Sequence, residues 1–176
     1  MGARVIPLHC IIPPHMLREI ARRGDPDQQA WAFRTLSLSE QLRGQRQVLG
    51  MFALATPAGA KRRTIYDARR GEELPGALVR GEGDPKSKDP AVNEAYDGSG
   101  ATYDVFKTVF DRNSIDDRGL RLDSTVHYGR EYDNAFWDGR QMVYGDGDGR
   151  LFTRFTKSID VIGHELTHGV VTPNIV

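Results

Sequence analysis

Ser158-Ile159-Asp160-Val161-Ile162-Gly163-His164-Glu165-Leu166-Thr167-His168-Gly169-Val170-Val171 is the stretch on which the reading of this 176-residue chain turns. Its apolar residues Ile159, Ile162, Leu166 and Val170 recur at the spacing of one helix face. Ser158 stands where a helix N-cap is wanted. On such a helix His164 and His168 are one turn apart and project from one side, with Asp160 a further turn back. Two imidazoles so placed can grip one Zn²⁺, and Glu165 beside them can act as a base toward water. Two unrelated surface histidines would not need the apolar stripe beneath them.

The bulk properties exclude several other classes. Lys+Arg and Asp+Glu both number 24, so the formal net charge is zero. Nothing in that balance points to nucleic acid or an anionic membrane as partner. No apolar run approaches the ~20 residues of a membrane span. Cys10 is the single cysteine, which rules out an internal disulfide. A thiolate there could seek zinc, but a small buried hydrophobe is the plainer role. Met1 to His9 carries one positive charge and no continuous apolar core, so it does not read as a secretory signal. Taken alone, that points to a cytoplasmic chain or to export by another route.

Outward from the histidine helix, the chain divides into three. Residues 1–45 form a helical unit too small to bury a core of its own, and so expected to dock on something. One helix spans Pro14 to Arg23 and stops at Gly24. Asp25, Pro26 and Gln28 then spell a cap, a first helical position and a reciprocal cap. The helix they open passes Trp31, Phe33 and Leu36 and is expected to end near Arg43. Residues 46–63, with Gly50, Pro57, Gly59 and Lys61-Arg62-Arg63, read as a linker or, equally on composition, as an ordinary surface loop with one short helix. Residues 64–176 alternate strands and helices. Thr64–Asp67 and Leu74–Arg80 form a hairpin. Asp89-Pro90 opens a helix, and Val105, Phe106, Val109 and Phe110 mark a second. Leu122–Tyr128, Ala135–Trp137 and Gln141–Gly145 are strands, the last two joined by a tight turn at Asp138-Gly139. Gly145-Asp146-Gly147-Asp148-Gly149 lacks the third acid of an EF-hand, where Arg150 stands, and reads as a turn. His9, His15 and His127 have no partner at metal-ligand spacing and are expected to be structural or exposed. The layout is α+β, a sheet of hairpins closed by the histidine helix.

Several of these stretches resemble the thermolysin family of zinc metalloendopeptidases. The marks are Asp89-Pro90-Ala91-Val92-Asn93-Glu94-Ala95, Thr125-Val126-His127-Tyr128, Asp133-Asn134-Ala135-Phe136-Trp137-Asp138-Gly139, Met142 to Gly149, and Ile159 to Val170. Ile12-Pro13-Pro14-His15-Met16-Leu17 resembles the short propeptide of the protealysin-like branch, and Arg63-Thr64-Ile65-Tyr66-Asp67 resembles the start of the mature enzyme there. The resemblance implies the sheet-rich N-terminal subdomain of that fold, ending in the zinc helix and preceded by a propeptide docked on it. It implies Zn²⁺ on His164 and His168, and Glu165 activating water for hydrolysis of internal peptide bonds. Asn134 and Ala135 would lie on an edge strand that pairs with the peptide substrate, with Phe136 and Trp137 close by. Asp160 would belong to a Ca²⁺ site. It further implies a secreted, monomeric protein. The family's pattern continues beyond this helix to a third zinc ligand, a Glu, and to groups that stabilise the oxyanion. No position here matches them, so the third zinc ligand has no counterpart in this chain. The expectation is therefore a truncated, inactive form of the enzyme. The alternative is a remnant that binds a peptide or a protease without cutting.

Overall fold

The computed structural model describes residues 11–49 and 60–171, so His9, Cys10, most of the expected linker and the residues after Val171 lie outside it. In order, the elements are α1 (Pro14–Arg23), α2 (Pro26–Leu49), β1 (Arg63–Asp67), β2 (Ala77–Arg80), α3 (Pro90–Phe110), β3 (Leu122–Val126), β4 (Ala135–Trp137), β5 (Gln141–Tyr144), a 3₁₀ turn (Phe155–Lys157) and α4 (Ile159–Val171). The α+β expectation holds. One five-stranded sheet runs β2-β1-β3-β5-β4. The β1–β2 hairpin is antiparallel, β1–β3 and β3–β5 are parallel, and β4–β5 is antiparallel. Parallel neighbours need a crossover, which α3 supplies between β1 and β3. β4 is left at the edge.

Helix α3 begins as its sequence dictates. The Asp89 carboxylate accepts the Ala91 N–H at 2.8 Å, with Pro90 in the first turn. It does not break into two helices as expected, because Gly98 and Gly100 are contact points rather than stops. A Cβ at Gly98 would collide with Ile162 of α4, and one at Gly100 with the guanidinium of Arg63. The glycines let α4 and β1 close on α3, and packing outweighs the ~1 kcal/mol an interior glycine costs. Of the four apolar residues near its C-terminus, Phe106 packs on the core, while Val105, Val109 and Phe110 are exposed.

The N-terminal unit docks on this frame. Asp25 and Gln28 cap α2 reciprocally, each backbone N–H donating to the other's side chain at 2.9 Å. The helix continues through Gly44 to Leu49, past the expected end at Arg43. Ile12, Leu17, Trp31 and Ala32 are buried in the same apolar cluster as Ile65, Val126, Met142 and Leu166. The unit therefore shares the core of the sheet.

Candidate metal centre

Helix α4 is positioned by what lies beneath it. Ile162 and Leu166 are buried, at 1% and 0% exposure. Gly169 leaves no room for a Cβ against Ile115, and one built there would come within 3.3 Å of the Trp137 indole. That contact seats the last turn of α4 on β4, beside His168. The 3₁₀ turn before α4 is tied to α3: Arg154 donates to Glu94 at 2.6 and 2.7 Å, and Thr156 donates to it at 2.8 Å.

On the outer side, the Nε2 atoms of His164 and His168 stand 3.0 Å apart. The rings meet edge to face, their centroids 4.7 Å apart. A tetrahedral Zn²⁺ with Zn–N bonds of 2.0–2.1 Å holds two nitrogens about 3.3 Å apart, so the pair fits zinc after a small rotation of either ring. Glu165 is completely buried. One ligand atom from each of His164, Glu165 and His168 lies within 4.8 Å of the others, and among the described residues no other such group of three occurs. Asp160 stands exposed in the first turn of α4, outside this group.

Asn134, Ala135, Phe136 and Trp137 are all buried, and strand alternation separates the last two. Trp137 belongs to the main core under α4. Phe136 joins Tyr128, Tyr132 and Val143 in a second cluster, its ring edge-on to Tyr128 at 5.8 Å and to Tyr132 at 6.0 Å. The polar groups of the edge are already engaged by the chain's own N-terminal segment. The Ile11 N–H donates to the Ala135 carbonyl at 3.3 Å. The Ile12 N–H donates to Asn134 Oδ1 at 3.0 Å, and Asn134 Nδ2 donates to the Ile12 carbonyl at 3.3 Å.

Two ionisable residues stand out that sequence spacing did not single out. His127 lies between Asp146 and Asp89, with Nδ1 and Nε2 each 2.7 Å from a carboxylate. The hydrogen bond to Asp146, reinforced by Asp89, pushes its pKa up to about 9. These partners lie 19 and 38 residues away, beyond any local motif. Asp133 is fully buried, and burial pushes its pKa up to about 7. The one signal in the sequence was its place next to Asn134.

The sequence profile of the family described as thermolysin metallopeptidase, catalytic domain, matches residues 40–172. An extracellular metalloprotease of Pectobacterium carotovorum subsp. carotovorum is 48% identical over 164 residues, 93% of this chain and 47% of the relative. A thermolysin of Alicyclobacillus acidocaldarius subsp. acidocaldarius is 51% identical over 108 residues, 60% of this chain and 20% of the relative. The solved structure of the precursor of protealysin, a metalloproteinase from Serratia proteamaculans, is 48% identical with a TM-score of 0.79, covering 92% of this chain and 46% of that one. The chain spans about half the length of the relatives that match it from end to end.

Proposed function

The chain belongs to the thermolysin metallopeptidase family, and from that premise we propose that it carries the zinc-binding and substrate-strand portion of an endopeptidase, with residues 1–45 as propeptide, 46–63 as linker and 64–176 as peptidase part. The observation that carries the reading is the 3.0 Å approach of His164 and His168 on one face of α4, with Glu165 buried beside them. His164 and His168 hold the metal. Zinc, when bound, supplies a Lewis acid that polarises the scissile carbonyl and makes water a better nucleophile. Glu165 takes the proton of the attacking water on its carboxylate and returns it to the leaving amine.

Asn134 and Ala135 receive the substrate backbone by strand addition. One backbone bond from Ile11 to Ala135, and two bonds between Ile12 and the Asn134 side chain, support this reading by showing that the chain's own segment can occupy these groups. Residues 11–49 in this reading are a docked propeptide that shields the edge of β4 until it is displaced. Asp160 offers one carboxylate to a Ca²⁺ that takes about six to eight oxygens, so its other ligands come from elsewhere. The Pectobacterium relative is named as extracellular, and we assign this chain's work to the same compartment. Among the described residues no helix is long and apolar enough to cross a membrane.

Calorimetric titration of the purified chain with Zn²⁺ tests the centre. His164→Ala and His168→Ala should each lower affinity by at least tenfold. Glu165→Gln should keep most of the affinity while abolishing any peptide hydrolysis that the wild type supports. Unchanged zinc binding in both histidine variants would sink the assignment.

A further inference from the structure

The contact between the N-terminal helices and the sheet contains a buried acid that the proposed chemistry does not use. Asp133 precedes the edge strand β4 and has no exposure to solvent. Its Oδ1 accepts the Asp148 N–H at 2.7 Å. Its Oδ2 is buried with no hydrogen-bond partner. Above it sits Trp31 of α2, itself 3% exposed, flanked by the buried Ala32 and Thr35. The indole N–H of Trp31 faces both Asp133 and Asp148 and closes a hydrogen bond to neither. An ionised carboxylate in this position has one oxygen without a donor, a second carboxylate nearby and an aromatic cover that excludes water. A neutral carboxyl escapes the charge repulsion and most of the desolvation cost.

We propose that Asp133 is a pH-sensitive latch between the N-terminal helical unit and the sheet: neutral, it lets α2 seat over the start of β4, and on ionising it loosens that seat and uncovers the edge held by Ile11 and Ile12. Burial sets the direction, and the charged groups around Asp133 reinforce it. Asp148 lies in the turn after β5, and Glu131 lies in the loop before Asp133; both carry the sign that resists ionisation. The cations at this contact are engaged in pairs. Arg34 of α2 meets Glu131 at 2.8 Å, and Arg150 meets Asp27 at 3.2 Å and Asp25 at 3.7 Å. These bridges are exposed and contribute little. The latch deepens the reading of residues 11–49 as a propeptide over the substrate strand, and it rests on that reading only for its consequence.

The sign follows from linkage. Docked, Asp133 holds its proton to about pH 7, against an ordinary aspartate value of 3.8. Docking is therefore tightest below about pH 4 and weakens as pH rises toward 7, by up to about tenfold per unit. Above about pH 7, where both states are ionised, the weakening levels off. His127 keeps its proton to about pH 9 and so stays charged across this window.

Hydrogen exchange of the α1 and α2 amides in the full chain tests the latch, comparing wild type with Asp133→Asn at each pH so that intrinsic exchange cancels. The ratio of wild-type to variant exchange should rise more than tenfold between pH 4.5 and pH 8. A ratio flat across that range would overturn the latch. Carbon-13 titration of the Asp133 carboxyl in the wild type needs no variant: a midpoint near 7 supports the proposal, and one in the ordinary aspartate range overturns it. Neither readout depends on zinc or hydrolysis. If exchange responds to pH but an added extended peptide never competes with residues 11–12 for β4, the latch stands and the substrate-strand reading fails.

Discussion

At the scale of single residues, the cost of a charge depends on what it faces. His127 and Asp133 both hold a proton beyond their ordinary range, one to stay charged and the other to stay neutral. Two carboxylates keep His127 protonated, whereas burial favours the neutral acid of Asp133. His127 joins Asp89, the N-cap of α3, to Asp146 in the turn after β5, so its charge ties two elements together. A raised pKa makes this contribution complete below the ordinary histidine value of 6.5, and it is lost as pH rises through about 9. Its size is about 2 kcal/mol after screening at a partly open site. His127 also has a φ of 54°, in the left-handed region. Asparagine tolerates that conformation, so His127→Asn removes the charge without straining the backbone. Urea midpoints should show the wild type about 2 kcal/mol more stable than H127N at pH 6, with the gap narrowing by pH 10. A gap independent of pH would mean that the two carboxylates do not hold an imidazolium.

At the scale of elements, the histidine helix is only as well placed as its contact with α3. Gly98 is the point of closest approach, and the atom a Cβ would strike is the terminal methyl of Ile162. Gly98→Ala raises helix propensity but overpacks this contact, and overpacking costs about 1–3 kcal/mol. Ile162→Val removes that methyl. The double variant should therefore be more stable than the sum of the two single effects by about 1 kcal/mol in chemical denaturation. Strict additivity would show that α4 can shift away freely and that Gly98 does not fix its position. This pair also marks where the sequence stops being legible. Caps, hairpin turns and the His-Glu-x-x-His spacing act within a few residues, and α1, the start of α2, the β1–β2 hairpin and the His164–His168 pair were read from them. The meaning of Gly98 depends on a residue of α4. The same holds for His127 with Asp89 and for Asp133 with Trp31, contacts made only by the assembled chain. Local reading divides α3 into two helices, whereas Gly98 and Gly100 lie inside one helix as points of close approach.

At the scale of the whole molecule, the question is whether the N-terminal unit is a separate body or part of the sheet's core. Its apolar residues answer for the resting state. Leu17 is 1% exposed and Trp31 3%, both in the cluster that holds Ile65 and Leu166. Helices of this length with no core of their own are marginal in isolation. The sheet unit, in contrast, has β3, β5, α3 and α4 packed on one another without the N-terminal helices. Leu17→Ala should therefore act unequally. The truncation removes about 2–5 kcal/mol of burial and leaves a cavity at the contact. Because docking is all that holds α1 and α2 in place, their amides should exchange at least tenfold faster. Those of β3 and β5 should keep their protection. The same variant should expose the polar edge of β4, seen as tighter binding of an extended peptide at Asn134 and Ala135. If protection falls evenly across helices and sheet, the molecule opens as one cooperative body, and residues 11–49 could not be withdrawn from the edge strand without unfolding the rest.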